Sequence, residues 1–470
     1  MKQRSMPLFD KLIQFSESSP VSFHVPGHKN GEIIPDRAKK YLQEIMAIDM
    51  TELTGLDDLH APHGVIAEAQ SLAADYFGAD HTYFLVGGST AGNLAMILSV
   101  CTSGDEVIVQ RNAHKSIFNG LELSGASPVF IAPEFDETAN RYTAPALQSV
   151  KKAIETYPDA KALILTYPDY FGTTYDIKTM IELAHAYNIP VLVDEAHGVH
   201  FSVSDQLPES ALELGADVVV HSAHKMAPAM TMASYLHWKD GLVSRESLSH
   251  YLQMVQSSSP SYPLMASLDI ARQFLATMKT EEVNKILVSV EQVSHILQAT
   301  DYWEIHPSND PLKITLQMKK GKSAKATADF FEEEGIHPEL VTYKQLLLVH
   351  GLAPFKNTSR LKKAVKHVNE RLKNTVNHAT IEEGSLFPEP IQQLAHSYQE
   401  MRRRSTINLP IHQASGHVAA EAVIPYPPGI PLILKGERIT ETHIEMIGQL
   451  MQQGVTIQHD NIHDGIRVFK

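Results

Sequence analysis

The chain has 470 residues, 43% of them hydrophobic and 20% charged, which suits two or three domains and is too apolar for a disordered protein. Forty basic residues against 54 acidic ones leave a formal net charge of −14, which argues against nucleic-acid binding as the main role and suits a small cationic substrate. A single cysteine, Cys101, excludes an internal disulfide framework and a cysteine-rich zinc site, and points to a reducing, cytoplasmic setting.

The opening MKQRSMPLFDKLIQF predicts a short amphipathic helix and lacks the long apolar core of a signal peptide. No stretch approaches the ~18 uncharged apolar residues of a membrane span. From about Ala67 to Trp238 the chain alternates two patterns. AEAQSLAADYFG, AGNLAMILSV and KTMIELAHAYN have helical periodicity. TYFLVG, DEVIVQ, SPVFIAP, KALILTYP, IPVLVDEAH and ADVVVHSAH carry short, uniformly apolar runs, as parallel strands buried on both faces do. The alternation predicts an α/β layered domain with right-handed crossovers. Residues 241–299 read as two or three helices interrupted by SSSPSYP. From about 300 to 380 a small α/β unit follows, with PLKITLQM and YKQLLLVHG as strands and KATADFFEEEG and RLKKAVKHVNERL as helices. EEGSLFPEP then opens a C-terminal module whose prolines permit only short extended pieces. The expected division is an N-terminal arm (1–60), a large domain (61–300), a small α/β domain (301–380) and a C-terminal domain (381–470). Arg402–Arg404 reads as a solvated helix face.

Ligands of α/β sheets bind beyond the carboxyl ends of the strands, and four such ends carry chemistry. In VGGSTAGN, Ser89 and Thr90 stand at a helix start, where free N–H groups attract anions; a plain helix cap is the alternative. In RNAHKS, His114 reads either as a structural loop histidine or as an imidazole stacked on a flat ring. In VDEAHG, Asp194 ends a buried strand, which demands a partner: a cofactor cation, a neighbouring lysine, or the next helix as its cap. In HSAHK, Lys225 beside Ser222 and His224 is either a surface lysine or an imine-forming amine. Taken together, a phosphate cradle, a ring-stacking imidazole, an acid for a pyridinium nitrogen and an imine lysine are the parts that hold pyridoxal 5′-phosphate.

These motifs, with FHVPGHKNG (Phe23–Gly31), DMTELTGLDDLHAPHG (Asp49–Gly64), SSSPSYPLMASLD (Ser257–Asp269) and PYPPGIPLILKGE (Pro425–Glu437), resemble the ornithine/lysine/arginine decarboxylase family of fold-type I pyridoxal-phosphate enzymes. The resemblance spans nearly the whole chain and is to the short Gram-positive form. It implies a fold-type I large domain with a mostly parallel sheet, a small α/β domain and a C-terminal decarboxylase module. Ser89, Thr90, Ser222 and His224 are then expected to hold the cofactor phosphate. His114 would stack on the ring and His197 would lie near it, while Asp194 meets the pyridine nitrogen and Lys225 carries the Schiff base. The SSSPSY segment is expected to reach a neighbouring subunit, making a homodimer or higher homo-oligomer with shared active sites. Two positions depart from the family pattern: Gly88 where Asn is common, and Asp169 where Thr is common.

The implied reaction is α-decarboxylation of a basic amino acid, arginine before lysine or ornithine, feeding polyamine synthesis. Lys225 or His224 would return a proton to the α-carbon. The far end of a basic substrate needs acids, for which Glu52, Asp57, Asp58 and Glu421 are the candidates; each also reads as a cap or a solvated carboxylate. Transamination on the same cofactor, or a non-catalytic member of the family, are the rival readings. Neither a metal nor a nucleic-acid or membrane partner is expected.

Overall fold

The structure, a computed structural model, describes residues 2–373, 386–387, 389–425, 429–452, 455–458 and 462–470, so parts of the EEGSLFPEP and PYPPGIPLILKGE segments lie outside the described residues. The chain forms two compact units, Met1–Val100 with Ala184–Lys279, and Cys101–Leu183 with Thr280–Lys470. Their principal strands in chain order are β1 (His81–Leu85), β2 (Glu106–Gln110), β3 (Ser127–Ile131), β4 (Leu163–Thr166), β5 (Val191–Asp194), β6 (Val218–His221), β7 (Ser234–Trp238) and β8 (Ile391–Gln393).

In the first unit the strand order is β1-β7-β6-β5. Strands β5 and β6 run parallel, with Asp194 opposite Val220, while β7 is antiparallel to both β6 and β1. Three strands therefore point one way and one is reversed. Every residue of β5, β6 and β7 is buried. That two-sided burial is the cause of the unbroken apolar runs. The sequence does not mark β7 as it marks the others, because Ser234 and His237 interrupt its apolar run.

Among the helices of this unit are α1 (Pro7–Glu17), α2 (Val65–Phe77), α3 (Gly88–Val100), α4 (Arg245–Val255) and α5 (Tyr262–Thr277). The opening helix α1 buries Leu8 and Leu12 and packs on α2 and α5. It is pinned by Asp269 of α5, whose Oδ2 accepts the N–H groups of Leu8 and Phe9. Arg272 completes the clamp, pairing with Asp269 at 2.5 Å and donating to the carbonyls of Gln3 and Ser5. Helix α3 lies close to the sheet because Gly92 has no side chain. A Cβ there would stand 2.7 Å from Leu85 Cδ1 and 3.1 Å from both Val220 methyls.

In the second unit the order is β4-β2-β3-β8, with β2, β3 and β4 parallel and β8 reversed. The small α/β unit expected after residue 300 is present. Strands Trp303–His306, Lys313–Met318, Gln345–Val349 and Leu340–Val341 form one antiparallel sheet, accompanied by helices Ala324–Glu333 and Thr358–Leu372. The C-terminal region builds its own core around Ala419, Val423, Ile433, Ile447 and Val468. It is clamped by Arg111, whose buried guanidinium donates to the carbonyls of Pro431 and Leu432 and pairs with Glu437 at 2.7 Å. Among the described residues no helix is long and apolar enough to cross a membrane.

The tight seat of α3 is testable. Gly92→Val inserts two methyls beyond the Cβ against Leu85 and Val220, and should cost about 1–3 kcal/mol, the usual range for overpacking. Urea unfolding of the two proteins measures it; equal midpoints would show that α3 has slack against the sheet.

Candidate active site

The first unit gathers most of the sequence-predicted residues at the carboxyl ends of β5 and β6. Asp194 is 3% exposed. Its Oδ2 accepts a hydrogen bond from Asn93 Nδ2 at 2.9 Å, and its Oδ1 accepts from the Ala196 N–H at 3.3 Å. Both donors are neutral, and no ion pair to Asp194 forms among the described residues. A carboxylate in this position is held in place without having its charge answered, which suits a cationic ligand group.

Lys225 lies five residues beyond Val220, the residue opposite Asp194, on the short helix Ala223–Met226. Its Nζ is 3.0 Å from Nε2 of His197, which is itself buried. Amine and imidazole are within hydrogen-bond distance of each other. His224 Nδ1 faces the Ala233 carbonyl at 3.2 Å.

The hydroxyls form a separate cluster. Gly88 adopts φ +75° at the start of α3, a left-handed conformation that glycine tolerates without strain. The helix then presents Ser89, whose Oγ hydrogen-bonds Ser222 Oγ and lies 3.1 Å from Ser234 Oγ. Thr90 follows and is exposed. Three hydroxyls beside the first turn of a helix make an anion-binding surface, since the N–H groups there lack helical partners. Sequence reading missed Asn93 and Ser234. The first sits one turn after Ser89 on the same buried face of α3, and that spacing was the available signal. The second lies in the strand whose pattern is broken.

His114 belongs to the second unit and caps the helix Lys115–Ser124, its Nδ1 accepting from the Ser116 N–H and lying 2.8 Å from Ser116 Oγ. Asp169, in the same unit, accepts from the N–H groups of Phe171 and Thr173 and pairs with Arg141 at 3.3 Å.

Of the four acidic candidates for the substrate, Glu52, Asp57 and Asp58 of the first unit lie within electrostatic reach of Tyr262, and each is engaged locally. Asp57, at φ +71°, turns its carboxylate onto the backbone N–H groups of Asp58, His63, Gly64, Ile66 and Ala67. Its task in this structure is to cap α2. Asp58 accepts from the His60 N–H, and exposed Glu52 from the Thr51 hydroxyl. Glu421 lies in the second unit, bound to the backbone and guanidinium of Arg467. A pair of motifs also comes together. Tyr262 of SSSPSY donates to the Asp57 carbonyl at 2.6 Å, and His60 Nε2 lies 2.8 Å from the Ser257 carbonyl.

With this geometry in view, the comparisons define the class. The chain matches the solved lysine decarboxylase LdcF of Francisella novicida with a TM-score of 0.81 at 18% identity, over 98% of this chain and 80% of that one. The two share a fold. The profile for the Orn/Lys/Arg decarboxylase major domain matches residues 6–315, and that for the C-terminal domain matches residues 375–458. The chain belongs to the Orn/Lys/Arg decarboxylase family. It is 42% identical over 460 residues to the uncharacterized protein YaaO of Bacillus subtilis, covering 96% of this chain and 95% of that one. It is 38% identical over 491 residues to the arginine decarboxylase of the same organism, covering 100% and 99%.

The Asp57 cap predicts a pH signature. Burial pushes its carboxyl pKa up, but the N–H donors of His63, Asp58, Gly64 and Ala67 outweigh burial and hold it below the ordinary value of 3.8. A depressed folded pKa contributes stability above the unfolded value, and that contribution is lost as pH falls through the folded one. Asp57→Asn should therefore cost about 1–2 kcal/mol at neutral pH, with the deficit narrowing below about pH 4. Thermal unfolding from pH 7 down to pH 3 checks this; a deficit independent of pH would mean that the charge plays no part.

Proposed function

We propose that the protein removes the α-carboxylate of a basic amino acid, arginine before lysine or ornithine, releasing carbon dioxide and the corresponding amine with pyridoxal 5′-phosphate as cofactor. The observation that carries this reading is the buried, uncompensated carboxylate of Asp194 in the same unit as Lys225 and the Ser89–Ser222–Ser234 hydroxyl cluster. Family membership and the 38% identity to an arginine decarboxylase over the full chain support it.

The residues fit the cofactor's chemistry. Its ring nitrogen is cationic when protonated, its aldehyde condenses with an amine, and its phosphate is an anion. Asp194, Lys225 and the hydroxyls at the start of α3 are the complementary groups. When bound, pyridoxal phosphate supplies an electron sink for the bond broken at the α-carbon. Asp194, fixed by Asn93 and Ala196, would face the ring nitrogen and favour its protonated form. Ser89, Thr90, Ser222 and His224 would hold the phosphate. His114 would stack on the ring, and His197, within hydrogen-bond distance of Lys225, would lie near it. Lys225 or His224 would return the proton to the α-carbon. Among the acids, Asp57, Asp58 and Glu421 are the candidates for the substrate head group, with Asp57 capping α2 and Glu421 engaged by Arg467, and a planar guanidinium would favour a bidentate carboxylate.

The working form is a homodimer in the cytoplasm, supplying amines for polyamine synthesis. In support, the stretch from residue 21 to residue 41 leaves Val21, Phe23, Val25, Ile33 and Tyr41 exposed, Phe23 by 94%. A second copy of the chain is the occupant proposed for that surface. The domain division is an arm (1–60), a cofactor-binding domain (61–300), a small domain (301–380) and a C-terminal domain (381–470).

Two expected outcomes follow. Purified protein with pyridoxal phosphate, offered arginine, lysine and ornithine separately, should release carbon dioxide and agmatine, with less or no cadaverine and putrescine. In the same assay Lys225→Ala should give no turnover, and Asp194→Asn should lose at least ~100-fold, as removal of a charge-stabilising group does. Normal turnover by Lys225→Ala sinks the scheme. In sedimentation, the unaltered protein should run as a dimer and Phe23→Ser should shift it toward monomer; a monomeric, fully active parent contradicts shared sites.

A further inference from the structure

The two strand ends that bear Asp194 and Ser222 each carry a second titratable residue that the proposed chemistry leaves unused. Glu195 follows Asp194, and His221 precedes Ser222. Glu195 is wholly buried; its carboxylate accepts from the Ser210 hydroxyl at 2.8 Å and from the Ala211 N–H. Its Oε2 lies 3.2 Å from His221 Nε2. The contact continues inward. His221 Nδ1 is 3.0 Å from His237 Nε2, and His237 Nδ1 is 2.8 Å from Thr82 Oγ1. His221, His237 and Thr82 are also wholly buried, and Phe77 stacks edgewise or tilted on both imidazoles. A row of buried polar groups thus runs from the residue after β5 across β6 and β7 to β1, joined between Glu195 and His221 by a close charge contact and not by a formed hydrogen bond.

Its charge state is constrained. Burial pushes Glu195 up against the pull of His221, Ser210 and Ala211, while burial and then His221 push His237 well down. Glu195 is thus pushed toward its protonated form and His237 toward its neutral form. The backbone is cut to fit the pair: a Cβ at Gly198 would stand 2.6 Å from both Cγ and Oε1 of Glu195.

We propose that Glu195, His221, His237 and Thr82 form a positioning device for the cofactor-facing strand ends. Glu195 fixes the backbone that aims Asp194, and His221 fixes the backbone leading into Ser222 and Lys225, so that acid and amine keep a common register. This rests on the reading of Asp194 and Lys225 given above. None of the four touches the reacting atoms.

The test is Glu195→Gln, which keeps the shape and an oxygen for Ser210 and Ala211 but removes the carboxylate charge beside His221. The dissociation constant of the apo-protein for pyridoxal phosphate, kcat and KM for arginine, and the unfolding midpoint of the apo-protein are measured together. The cofactor should bind about tenfold more weakly and kcat should fall about tenfold, the lower end for loss of a supporting contact. KM for arginine should stay within about twofold and the apo midpoint should barely move. Thr82→Val, at the far end of the chain, should shift cofactor affinity in the same direction by less, and serves if Glu195→Gln does not fold. Because the members act as a unit, Glu195→Gln with Thr82→Val should lose less than the product of the single effects. Unchanged cofactor affinity and kcat in both variants, or a loss confined to the unfolding midpoint, would overturn the proposal while leaving Asp194 and Lys225 in place. A parent protein that binds no pyridoxal phosphate would overturn both.

Discussion

A carboxylate buried at the end of a parallel strand is the constraint around which the first unit is arranged. Asp194 is almost wholly out of water, and its hydrogen-bond donors are an amide side chain and a backbone N–H, not a cation. Neutral donors fix the direction of the carboxylate while leaving its charge to act on something else. The amide comes from Asn93 on α3, and α3 can approach only because Gly92 presents no side chain to Leu85 and Val220. One turn earlier the same helix carries Ser89, which meets Ser222 and Ser234. Ser89 and Asn93 are therefore spaced by about one turn along α3, a rise of about 6 Å over four residues. A flat heteroaromatic ring with a phosphate on a short arm spans a distance of that order. One rigid element thereby fixes both poles of the proposed cofactor site.

Other polar groups serve the frame. Asp269 and Arg272 neutralise one another while each also ties down the opening helix, so the buried pair does its work through backbone contacts rather than through its own Coulomb energy. In the second unit Arg111 does the same for the C-terminal region, joining the Pro431 and Leu432 carbonyls to Glu437. These residues sit inside motifs, RNAHKS and SSSPSYPLMASLD among them, and so a motif's specificity comes partly from chain-anchoring demands and partly from chemistry.

Much of the fold was legible because two-sided burial writes an unbroken apolar run, and six such runs became strands of the two units. Strand β7 was not, since its Ser234 and His237 face partners that a linear pattern does not reveal: Ser89 for one, Thr82 and His221 for the other. The same limit explains Asn93. Its partner is 101 residues away, so nothing local distinguishes it from any buried asparagine. Asp57 illustrates the converse. LDDL with a following helix is as good a signature for a cap as for a binding acid, and only the five N–H groups converging on its carboxylate tell them apart. Asp194, Ser89, Ser222 and Lys225 stood out as candidates because each terminates or opens an element at the edge where parallel sheets place ligands.

The arrangement of arginines bears on which bond the enzyme is built to break. A transaminase holds the α-carboxylate of its substrate throughout, and a buried, available guanidinium is the group suited to that bidentate task. Among the described residues the fully buried arginines are Arg111 and Arg272, and the terminal nitrogens of each are engaged by its own carboxylate and backbone carbonyls. Arg404 and Arg438, the other arginines of interest, are exposed and bound to backbone carbonyls. An α-carboxylate that no guanidinium clamps is free to lose its charge as it leaves as neutral carbon dioxide, whereas a clamped one would be stabilised in the ground state and resist departure. The occupied arginines therefore favour cleavage of the carbon–carboxylate bond, in line with the family to which the chain belongs.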